Sequence, residues 1–441
     1  MRNPTVSKIL IFAFVLTLST TLMFNFAFLA RGEPLPEPNV VRIGKGAVDE
    51  LHLKMLSYQQ RQHITNISFG VWQDGALVTE GDYGPVSETF AEPVTDTTIY
   101  RIRSMTKPIT AIGLLILMER GHFDLSDPIT KFLPEFEDTE VIADYDASGQ
   151  LYTYKWLYPP TMKQLLSHTA GFAYYHPKGG VIEQRLNAMN IAESPNTDAL
   201  VRTMATVPYV SMPGAEWHYS LSSDLQGAII ERITGQTLSA FLKQEIFDPL
   251  NMKDTGFHVA ASETHRLSGV SRIVDDKAEY IALEAADTVT QSQIYDEGGH
   301  GLYSTRADYL KFLDMLRNRG RVGRHQLISP DTLDRFNTNA IRYRGGEGRQ
   351  RSHGQGAGLG FGLGIGTVEN PTIANLAAPK GTTYWTGALG TWFWVDPVND
   401  IVFIGMIQND GVIEPDIMKS AMAAIYGEPT PSIEISDQHS R

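Results

Sequence analysis

The sequence predicts an α+β fold formed by one large domain. Runs rich in β-branched and aromatic residues lie toward both ends of the 441-residue chain, whereas apolar residues at helical spacing fill its middle. Strands that are grouped apart from helices are typical of α+β proteins. The sequence shows no internal repeat and no signal for a separate domain. Its hydrophobic content of 42% is ordinary for a globular protein.

The elements near the N-terminal end follow from turn and periodicity signals. Asp74-Gly75 is a strong hairpin signal, and apolar and aromatic residues flank it on both sides. Branched apolar residues from Ile109 to Met118 recur at the spacing of a buried helix. The predicted elements up to this point are a helix over 47–65, strands over 67–72 and 76–78, and a segment over 98–102 that leads into the buried helix.

The middle of the chain predicts helices and one surface hairpin. Residues 146–149, Asp-Ala-Ser-Gly, form the expected turn of that hairpin between segments 141–145 and 151–157. Gly235 is a stop signal for the most regular of the helices. The helices predicted from here on cover residues 161–167, 197–205, 222–234, 238–247 and 306–317.

The C-terminal part predicts the remaining strands. Between Gly354 and Gly366, glycines alternate with apolar residues, which predicts a strand with one apolar and one bare face. A bare face admits a ligand or a neighbouring backbone, and a tightly packed sheet without a ligand explains the pattern equally well. The glycine spacing does not form a dinucleotide-binding fingerprint. Further strands are predicted over 383–389, 391–396 and 401–408, and a closing helix over 416–426.

The composition excludes several functional classes. The net charge is −13 and the chain has no long basic run, which argues against nucleic acid as a partner. The chain contains no cysteine. Disulfides, thiolate metal ligands, a cysteine nucleophile and a lipoprotein anchor are therefore excluded.

The N-terminus predicts export across a membrane. Arg2 and Lys8 precede an uncharged, mostly apolar run from Ile9 to Ala30. Such a run is typical of a signal peptide or a single membrane anchor. A cut after Ala30 would place bulky Phe28 where a small residue is preferred, so cleavage and retention both stay open. We expect a periplasmic protein, or one anchored through residues 9–30 that faces the periplasm or the outside.

The stretch from Arg103 to Pro108, Arg-Ser-Met-Thr-Lys-Pro, stands at the start of the buried helix. Ser104 and Lys107 are three residues apart and therefore share one helix face. A serine hydroxyl becomes an effective nucleophile when a base takes its proton, and a lysine is such a base when burial or nearby charge lowers its pKa. The helix N-terminus adds N–H groups that favour developing negative charge. The alternative is an N-cap serine beside a solvated lysine.

Three further segments contain candidate catalytic or binding residues. Tyr219, just before the helix at Ser222, can move a proton if a neighbouring ammonium lowers its pKa; the alternative is an aromatic residue that only packs a loop. Near Gly387, a backbone N–H opposite that of Ser104 would complete an oxyanion hole; the alternative is a plain edge strand. His168 is either a base or, as its loop position favours, a group that holds backbone.

In this order, the segments resemble the serine β-lactamase and penicillin-binding-protein superfamily over nearly the whole chain after the N-terminal run. Ser104 to Lys107 matches the family's Ser-x-x-Lys motif. Tyr219 to Leu221 stands at its Tyr-x-Asn motif, and Trp385 to Gly387 stands at its Lys-Thr-Gly motif. His-Thr-Ala-Gly over 168–171 and the stretch 298–305 are similar to further landmarks of the class C branch.

Two departures from the superfamily pattern change the expected substrate. Leu221 replaces the asparagine, and Trp385 replaces the lysine that helps to hold a substrate carboxylate in β-lactamases and peptidases. Tyr-Ser-Leu and Trp-x-Gly are instead similar to the family VIII carboxylesterases. Tyr174 and Tyr175 fit the aromatic, less charged pocket of such an enzyme.

The resemblance implies a β-lactamase/transpeptidase-like α+β fold: an antiparallel sheet flanked by helices, an all-helical subdomain, and the active site between them. It implies that Ser104 attacks a carbonyl group and that Lys107 and Tyr219 move its proton. The N–H groups of Ser104 and Ala388 would hold the oxyanion, and neither a metal nor another cofactor is needed. The substrate-binding residues implied with them are Trp385, Thr386, Gly387 and Tyr174.

We therefore expect a serine hydrolase that cleaves a carboxylic ester, with a small ester, amide or lactam as its substrate. The alternatives are a β-lactamase, a D,D-peptidase or other amide hydrolase acting on peptidoglycan, and a catalytically inactive binding module. The expected segments are a signal peptide or anchor (1–30), a linker (31–46), the hydrolase domain (47–430, with its sheet part over 47–110 and 300–430 and its helical part over 111–299) and a tail (431–441).

Overall fold

The computed structural model describes residues 40–61, 64–275, 277–282, 289–290, 295–341, 356–411 and 414–429. The chain divides into two units, Met1–Arg42 and Ile43–Arg441, and all elements below belong to the second. The predicted signal peptide or anchor and the predicted tail lie outside the described residues. Among the helices that are described, none has the length and apolar character needed to cross a membrane.

The first elements confirm the predicted helix, hairpin and buried helix, with small shifts at their ends. Asp74 and Gly75 both have positive φ, as a tight hairpin turn requires. The first helix ends at Gln60 rather than near residue 65, because the chain must become extended to enter the strand that begins at Ile67. These elements are α1 (Lys45–Gln60), β1 (Ile67–Gln73), β2 (Ala76–Tyr83), β3 (Ile99–Arg101) and α2 (Thr106–Glu119).

The middle of the chain contains helices and two hairpins. The hairpin predicted around residues 146–149 is confirmed, and Gly235 ends its helix in the left-handed conformation. A second hairpin near residue 275 was not predicted. The elements are β4 (Glu140–Tyr145), β5 (Leu151–Lys155), α3 (Met162–Leu166), α4 (Val181–Ala188), α5 (Thr197–Met204), α6 (Ser222–Thr234), α7 (Leu238–Leu242, continued by a π-helical turn over Lys243–Phe247), β6 (Val270–Val274) and β7 (Lys277–Ile281).

The C-terminal part returns to strands. The elements are β8 (Tyr303–Thr305), α8 (Arg306–Arg317), β9 (Arg321–Val322), β10 (His325–Gln326), α9 (Pro330–Asn337), β11 (Leu359–Phe361), β12 (Gly366–Val368), α10 (Pro371–Ala374), β13 (Thr383–Thr386), β14 (Trp392–Asp396), β15 (Ile401–Met406) and α11 (Glu414–Tyr426).

The prediction of one strand between residues 354 and 366 is wrong. Residues 354 and 355 lie outside the described part of the chain, and the rest forms two short antiparallel strands, β11 and β12. Gly364, in the turn between them, has a φ of 109°. A Cβ atom on Gly362 would lie 1.9 Å from the carbonyl oxygen of Phe336. These glycines therefore serve a tight turn and a close backbone approach.

One seven-stranded sheet, in the order β11-β12-β13-β14-β15-β1-β2, organises the fold. Every neighbouring pair in it is antiparallel. The pairing of β1 with β15 joins the first of the described strands to the last of them, with Ser68 opposite Met406. The helical middle of the chain is thus inserted between the two halves of the sheet.

The central strands of the sheet are buried on both faces, whereas the edge strand β2 is largely exposed or half-buried. Because side chains alternate along a strand, Phe403 points into the layer under α1 and α11, and its neighbour Ile404 points into the layer toward the middle of the chain. Trp394 stacks on Phe403 with ring centroids 4.1 Å apart. A strand covered on both faces is apolar throughout, which explains the nearly continuous apolar run from Ile401 to Met406.

Candidate active site

The segment that leads into α2 holds Ser104 in a constrained turn. Arg103 has a φ of 45°, a left-handed conformation that is uncommon for a residue with a side chain. Several bonds fix this turn: Met105 N–H donates to the Ile102 carbonyl (3.0 Å), and Thr106 Oγ1 donates to the Arg103 carbonyl (2.6 Å). The turn therefore presents Ser104, which is partly exposed, at the mouth of the buried helix.

Ser104, Lys107 and Tyr219 come together around one oxygen atom. Tyr219 Oη lies 2.6 Å from Ser104 Oγ, and Lys107 Nζ lies 3.3 Å from the same atom. Lys107 is fully buried, and its Nζ also donates a 2.8 Å hydrogen bond to the carbonyl of Gly299. Two groups that can exchange protons thus flank a hydroxyl that can act as a nucleophile.

Aromatic rings hold Tyr219 in place. Its ring stacks with that of His168, at a centroid distance of 5.4 Å, and with that of Tyr174, at 5.6 Å. The Lys107 ammonium lies 4.6 Å from the centre of the Tyr219 ring, close enough for a cation–π contact. Burial raises the pKa of Tyr174 well above its ordinary value, so this ring stays a neutral phenol beside the lysine.

His168 holds backbone, as its loop position indicates. The Ser220 N–H donates to His168 Nδ1 (3.2 Å), and the His218 N–H donates to the His168 carbonyl (2.9 Å). Burial and the neighbouring Lys107 charge lower the pKa of His168 to about 3, so the ring is neutral at physiological pH. A neutral imidazole therefore holds the loop that carries Tyr219, through the hydrogen bond from the Ser220 N–H.

Two largely buried acidic side chains that the sequence did not single out lie near Lys107. Asp224, in the first turn of α6, is 2% exposed, and burial raises its pKa. Burial also tends to raise the pKa of Glu297, but His300, 3.0 Å away, and the nearby cations Arg103 and Lys107 bring it below its ordinary value. No local signal indicates Asp224, because α6 also contains other polar residues such as Ser223 and Gln226.

The third motif lies against the turn that carries Ser104. A Cβ atom on Gly387 would be 2.4 Å from the Ile102 carbonyl oxygen, and Thr391 Oγ1 donates a 3.2 Å hydrogen bond to the same carbonyl. The Gly387 N–H donates to the Thr391 carbonyl (2.7 Å), which leaves the next residue, Ala388, at the exposed turn. The role of the Ser104 and Ala388 N–H groups as an oxyanion hole stays a prediction.

Trp385 forms part of the wall beside the tyrosine. Its buried ring lies 5.9 Å from that of Tyr219 and 5.1 Å from that of Phe361. Thr386, the next residue, is partly exposed. Among the described residues, no group of three or more histidine and acidic side chains is placed to hold a metal ion. The surroundings of Ser104 are thus aromatic on the side where the superfamily carries a lysine.

Comparison with known proteins assigns the family. Residues 54–425 match the family described as Beta-lactamase. The chain belongs to the Beta-lactamase family. The relatives of this family member include Protein Rv1367c of Mycobacterium tuberculosis, which is 32% identical over 364 residues that cover 82% of this chain and 88% of that protein. Esterase EstB of Burkholderia gladioli is 29% identical over 343 residues, which cover 74% of this chain and 81% of EstB.

A solved structure confirms the predicted fold. Simvastatin synthase (LovD) from Aspergillus terreus superposes on this family member with a TM-score of 0.73 at 22% identity. The match covers 87% of this chain and 98% of LovD. At this identity the match supports the β-lactamase-like α+β fold, in which a seven-stranded antiparallel sheet is combined with helices, and it says nothing about the substrate.

Proposed function

We propose that this protein is a serine hydrolase that cleaves a carboxylic ester through an acyl-enzyme on Ser104. The observation that carries the proposal is the placement of Ser104 Oγ 2.6 Å from Tyr219 Oη and 3.3 Å from Lys107 Nζ. An inactive binding module would not need a buried ammonium and a tyrosine hydroxyl on the same serine oxygen. Burying the Lys107 side chain costs free energy, and a role in proton transfer would explain why the fold buries it.

The reaction follows from these three groups. Ser104 Oγ forms a bond to the ester carbonyl carbon while its proton passes to whichever of Lys107 and Tyr219 is deprotonated. The tetrahedral intermediate then breaks its bond to the alcohol oxygen, and that oxygen takes the proton. In the second half-reaction, water donates its proton to the same pair and its oxygen to the acyl carbon. Ser104 leaves as the neutral hydroxyl, and the carboxylic acid is released.

The proposed oxyanion hole consists of the N–H groups of Ser104 and Ala388. The close approach of Gly387 to the Ile102 carbonyl supports it, because that approach sets the turn after β13 beside the turn that carries Ser104. N–H groups that are already fixed by their backbone stabilise developing charge without further reorganisation. We propose Trp385, Thr386 and Gly387 as the substrate-lining residues next to it, together with Tyr174, whose ring stacks on that of Tyr219.

An ester is favoured over a β-lactam because of Trp385. Its indole ring occupies the motif position where a lysine would attract a substrate carboxylate, and it packs against Tyr219 and Phe361. An indole supplies apolar surface and one N–H donor but no positive charge. A neutral ester fits this wall, and the name of the relative EstB supports the same substrate class.

The test compares p-nitrophenyl acetate and butyrate with a chromogenic cephalosporin, using wild type, Ser104→Ala and Ser57→Ala. Ser57 lies on α1, where its Oγ donates to the Lys54 carbonyl, so its substitution is a control for loss of a serine hydroxyl elsewhere. We expect wild type and Ser57→Ala to hydrolyse the esters, and Ser104→Ala to lose at least about 10³-fold in kcat. Substantial activity in Ser104→Ala would exclude Ser104 as the nucleophile.

The other outcomes identify the alternatives. Efficient, Ser104-dependent cephalosporin turnover would make the protein a β-lactamase in spite of Trp385. Turnover of peptides or small amides but not of esters would indicate the peptidase or amidase. A fluorophosphonate probe reports on the nucleophile without any assumption about the substrate. A wild-type protein that neither labels nor turns over any of these compounds would be an inactive binding module.

We also propose that the protein is exported, and either released or anchored through residues 9–30. The support is the apolar run from Ile9 to Ala30 behind Arg2 and Lys8. Fractionation of cells that express the full chain with a C-terminal tag, followed by N-terminal sequencing, would test this. A new N-terminus near residue 31 means release, and an intact chain in the membrane fraction means anchoring. An intact chain in the cytosol would contradict export.

A further inference from the structure

The carbonyl of Gly299 is the nearest acceptor of the catalytic lysine. Lys107 Nζ lies 2.8 Å from Gly299 O and 3.3 Å from Ser104 Oγ. A lysine side chain has four flexible bonds, so its ammonium takes its direction from its partners. The shorter of these two bonds therefore sets where Nζ stands relative to the Ser104 oxygen.

The Gly299 peptide is in turn held from two sides. On α2, Thr110 lies three residues after Lys107, and its Oγ1 donates a 2.8 Å hydrogen bond to the Gly298 carbonyl. On α6, Asp224 Oδ1 accepts a 3.1 Å hydrogen bond from the Gly299 N–H. Lys107 and Thr110 thus bind two consecutive carbonyl groups from one helix, and Asp224 fixes the same segment from the opposite side.

The two glycines let this segment lie directly on α6. A Cβ atom on Gly298 would be 2.5 Å from the Ser223 carbonyl oxygen, and one on Gly299 would be 2.7 Å from Asp224 Oδ2. Any other residue would push the segment away from the helix. Because the contact is close, a displacement of the Asp224 carboxylate would displace the Gly299 peptide as well.

We propose that Asp224 is a positioning residue that aims Lys107 at Ser104 through the Gly299 peptide. Asp224 has no place in the proton transfers proposed above, yet it is 2% exposed and linked to the lysine by one peptide group. It also follows Tyr219 by five residues, so one short stretch of chain carries Tyr219 and the residue that is linked to Lys107. This inference rests on the proposed role of Ser104 as the nucleophile.

Two substitutions separate the hydrogen bond from the charge. Asp224→Asn removes the carboxylate charge and keeps a carbonyl oxygen that can accept from the Gly299 N–H. Asp224→Leu has a similar size and accepts nothing. Asp308→Asn is the control, because Asp308 is also buried, on α8, and accepts hydrogen bonds from the Asp254 N–H (2.6 Å) and Thr255 Oγ1 (3.1 Å) instead.

The measurements are kcat and KM for p-nitrophenyl butyrate, the rate of labelling by a fluorophosphonate, and the thermal midpoint Tm. We expect kcat of Asp224→Asn to stay within about fivefold of wild type, since the acceptor is kept. We expect Asp224→Leu to lose about 10²-fold in kcat and in labelling rate, the size typical of a misplaced catalytic group, with KM changed by less than about threefold. Asp308→Asn should change Tm and leave kcat unchanged.

Each other outcome overturns the inference. A folded Asp224→Leu protein with kcat within about threefold of wild type would show that Lys107 does not need Asp224. If Asp224→Asn were as impaired as Asp224→Leu, the charge rather than the hydrogen bond would act. If Asp224→Leu does not fold, Gly299→Ala displaces the same contact, and unchanged kcat there would refute the inference. If wild type does not label at Ser104, the proposed function fails as well.

Discussion

Replacement of Tyr219 by phenylalanine should slow ester turnover by about 10²- to 10⁴-fold, the contribution typical of one general acid–base group. The lost oxygen atom is the one that lies 2.6 Å from Ser104 Oγ. Because each factor of ten in rate corresponds to about 1.36 kcal/mol, the activation barrier should rise by about 3–5 kcal/mol. The value of kcat should carry this loss, since the oxygen acts on the reacting serine.

The stability of the same variant should change far less. The phenylalanine ring keeps the contacts that the tyrosine ring makes with His168 at 5.4 Å, Tyr174 at 5.6 Å and Trp385 at 5.9 Å. Loss of a single hydrogen bond lowers the free energy of unfolding by about 1 kcal/mol. With an unfolding entropy of about 2.1 cal/mol/K per residue, the 441-residue chain should lose only about 1 °C in Tm.

The assay measures kcat for p-nitrophenyl butyrate together with Tm, for wild type, Tyr219→Phe and Tyr58→Phe. Tyr58 is the matched control, because its hydroxyl also contacts a serine oxygen, that of Ser420 at 2.9 Å, in the layer under α1. Tyr58→Phe should keep the wild-type kcat. If Tyr219→Phe keeps more than about a tenth of the wild-type kcat, Tyr219 does not transfer protons and the reasoning is wrong.

Three other predictions concern stability and the third motif. Gly387→Ala should lower both kcat and the free energy of unfolding, the latter by about 1–3 kcal/mol, because the new Cβ would lie 2.4 Å from the Ile102 carbonyl oxygen; urea titration and ester turnover check this, and two unchanged values would contradict it. Burial lowers the pKa of His168 from 6.5 to about 3, so between these pH values the unfolded chain binds a proton at this residue and the folded chain does not. The free energy of unfolding should therefore decrease as the pH is lowered below about 6.5, by about 2 kcal/mol at pH 5. Unfolding titrations of His168→Gln should lack this part of the pH dependence. Arg306→Leu should lower the free energy of unfolding by about 3 kcal/mol, because it leaves Asp82, 2.9 Å from the buried guanidinium, without that partner; adding Asp82→Asn should restore part of the loss, and a double variant no more stable than the single one would argue against this cause.

Local signals in the sequence were sufficient for the elements and for the core of the site. The helix over residues 222–234 is found with the predicted ends, because its apolar spacing and its terminal glycine act within the segment itself. The contact between Ser104 and Lys107 also follows from helix geometry alone. Tyr219 is a candidate from its place before a helix, but its contact with Ser104 across 115 positions has no local signal and was implied only by the resemblance.

The features that were missed depend on contacts between distant segments. The turn at Gly364 interrupts a pattern that is typical of one strand. The Phe336 carbonyl lies against the neighbouring Gly362 and accepts a hydrogen bond from the Leu363 N–H, a contact that periodicity does not reveal. The bond between Asp224 and Gly299 joins residues 75 positions apart. The left-handed conformation of Arg103 is set by the bonds around the turn, since nothing in an arginine favours it.

The pairing of β1 with β15 has a consequence for when the proposed active site can form during synthesis. Ser68 and Met406 are neighbours in the sheet. β1 therefore leaves the ribosome early, whereas its partner β15 is among the last of the described strands to do so. Long-range pairings of this kind slow folding, because the chain loses conformational entropy in closing a long loop before it gains any stabilising contact. The turn at Ser104 packs against Gly387 and accepts a hydrogen bond from Thr391 at the Ile102 carbonyl, and both residues are also synthesised late. A nascent chain that ends before residue 401 should therefore carry the serine, the lysine and the tyrosine before the proposed active site can form.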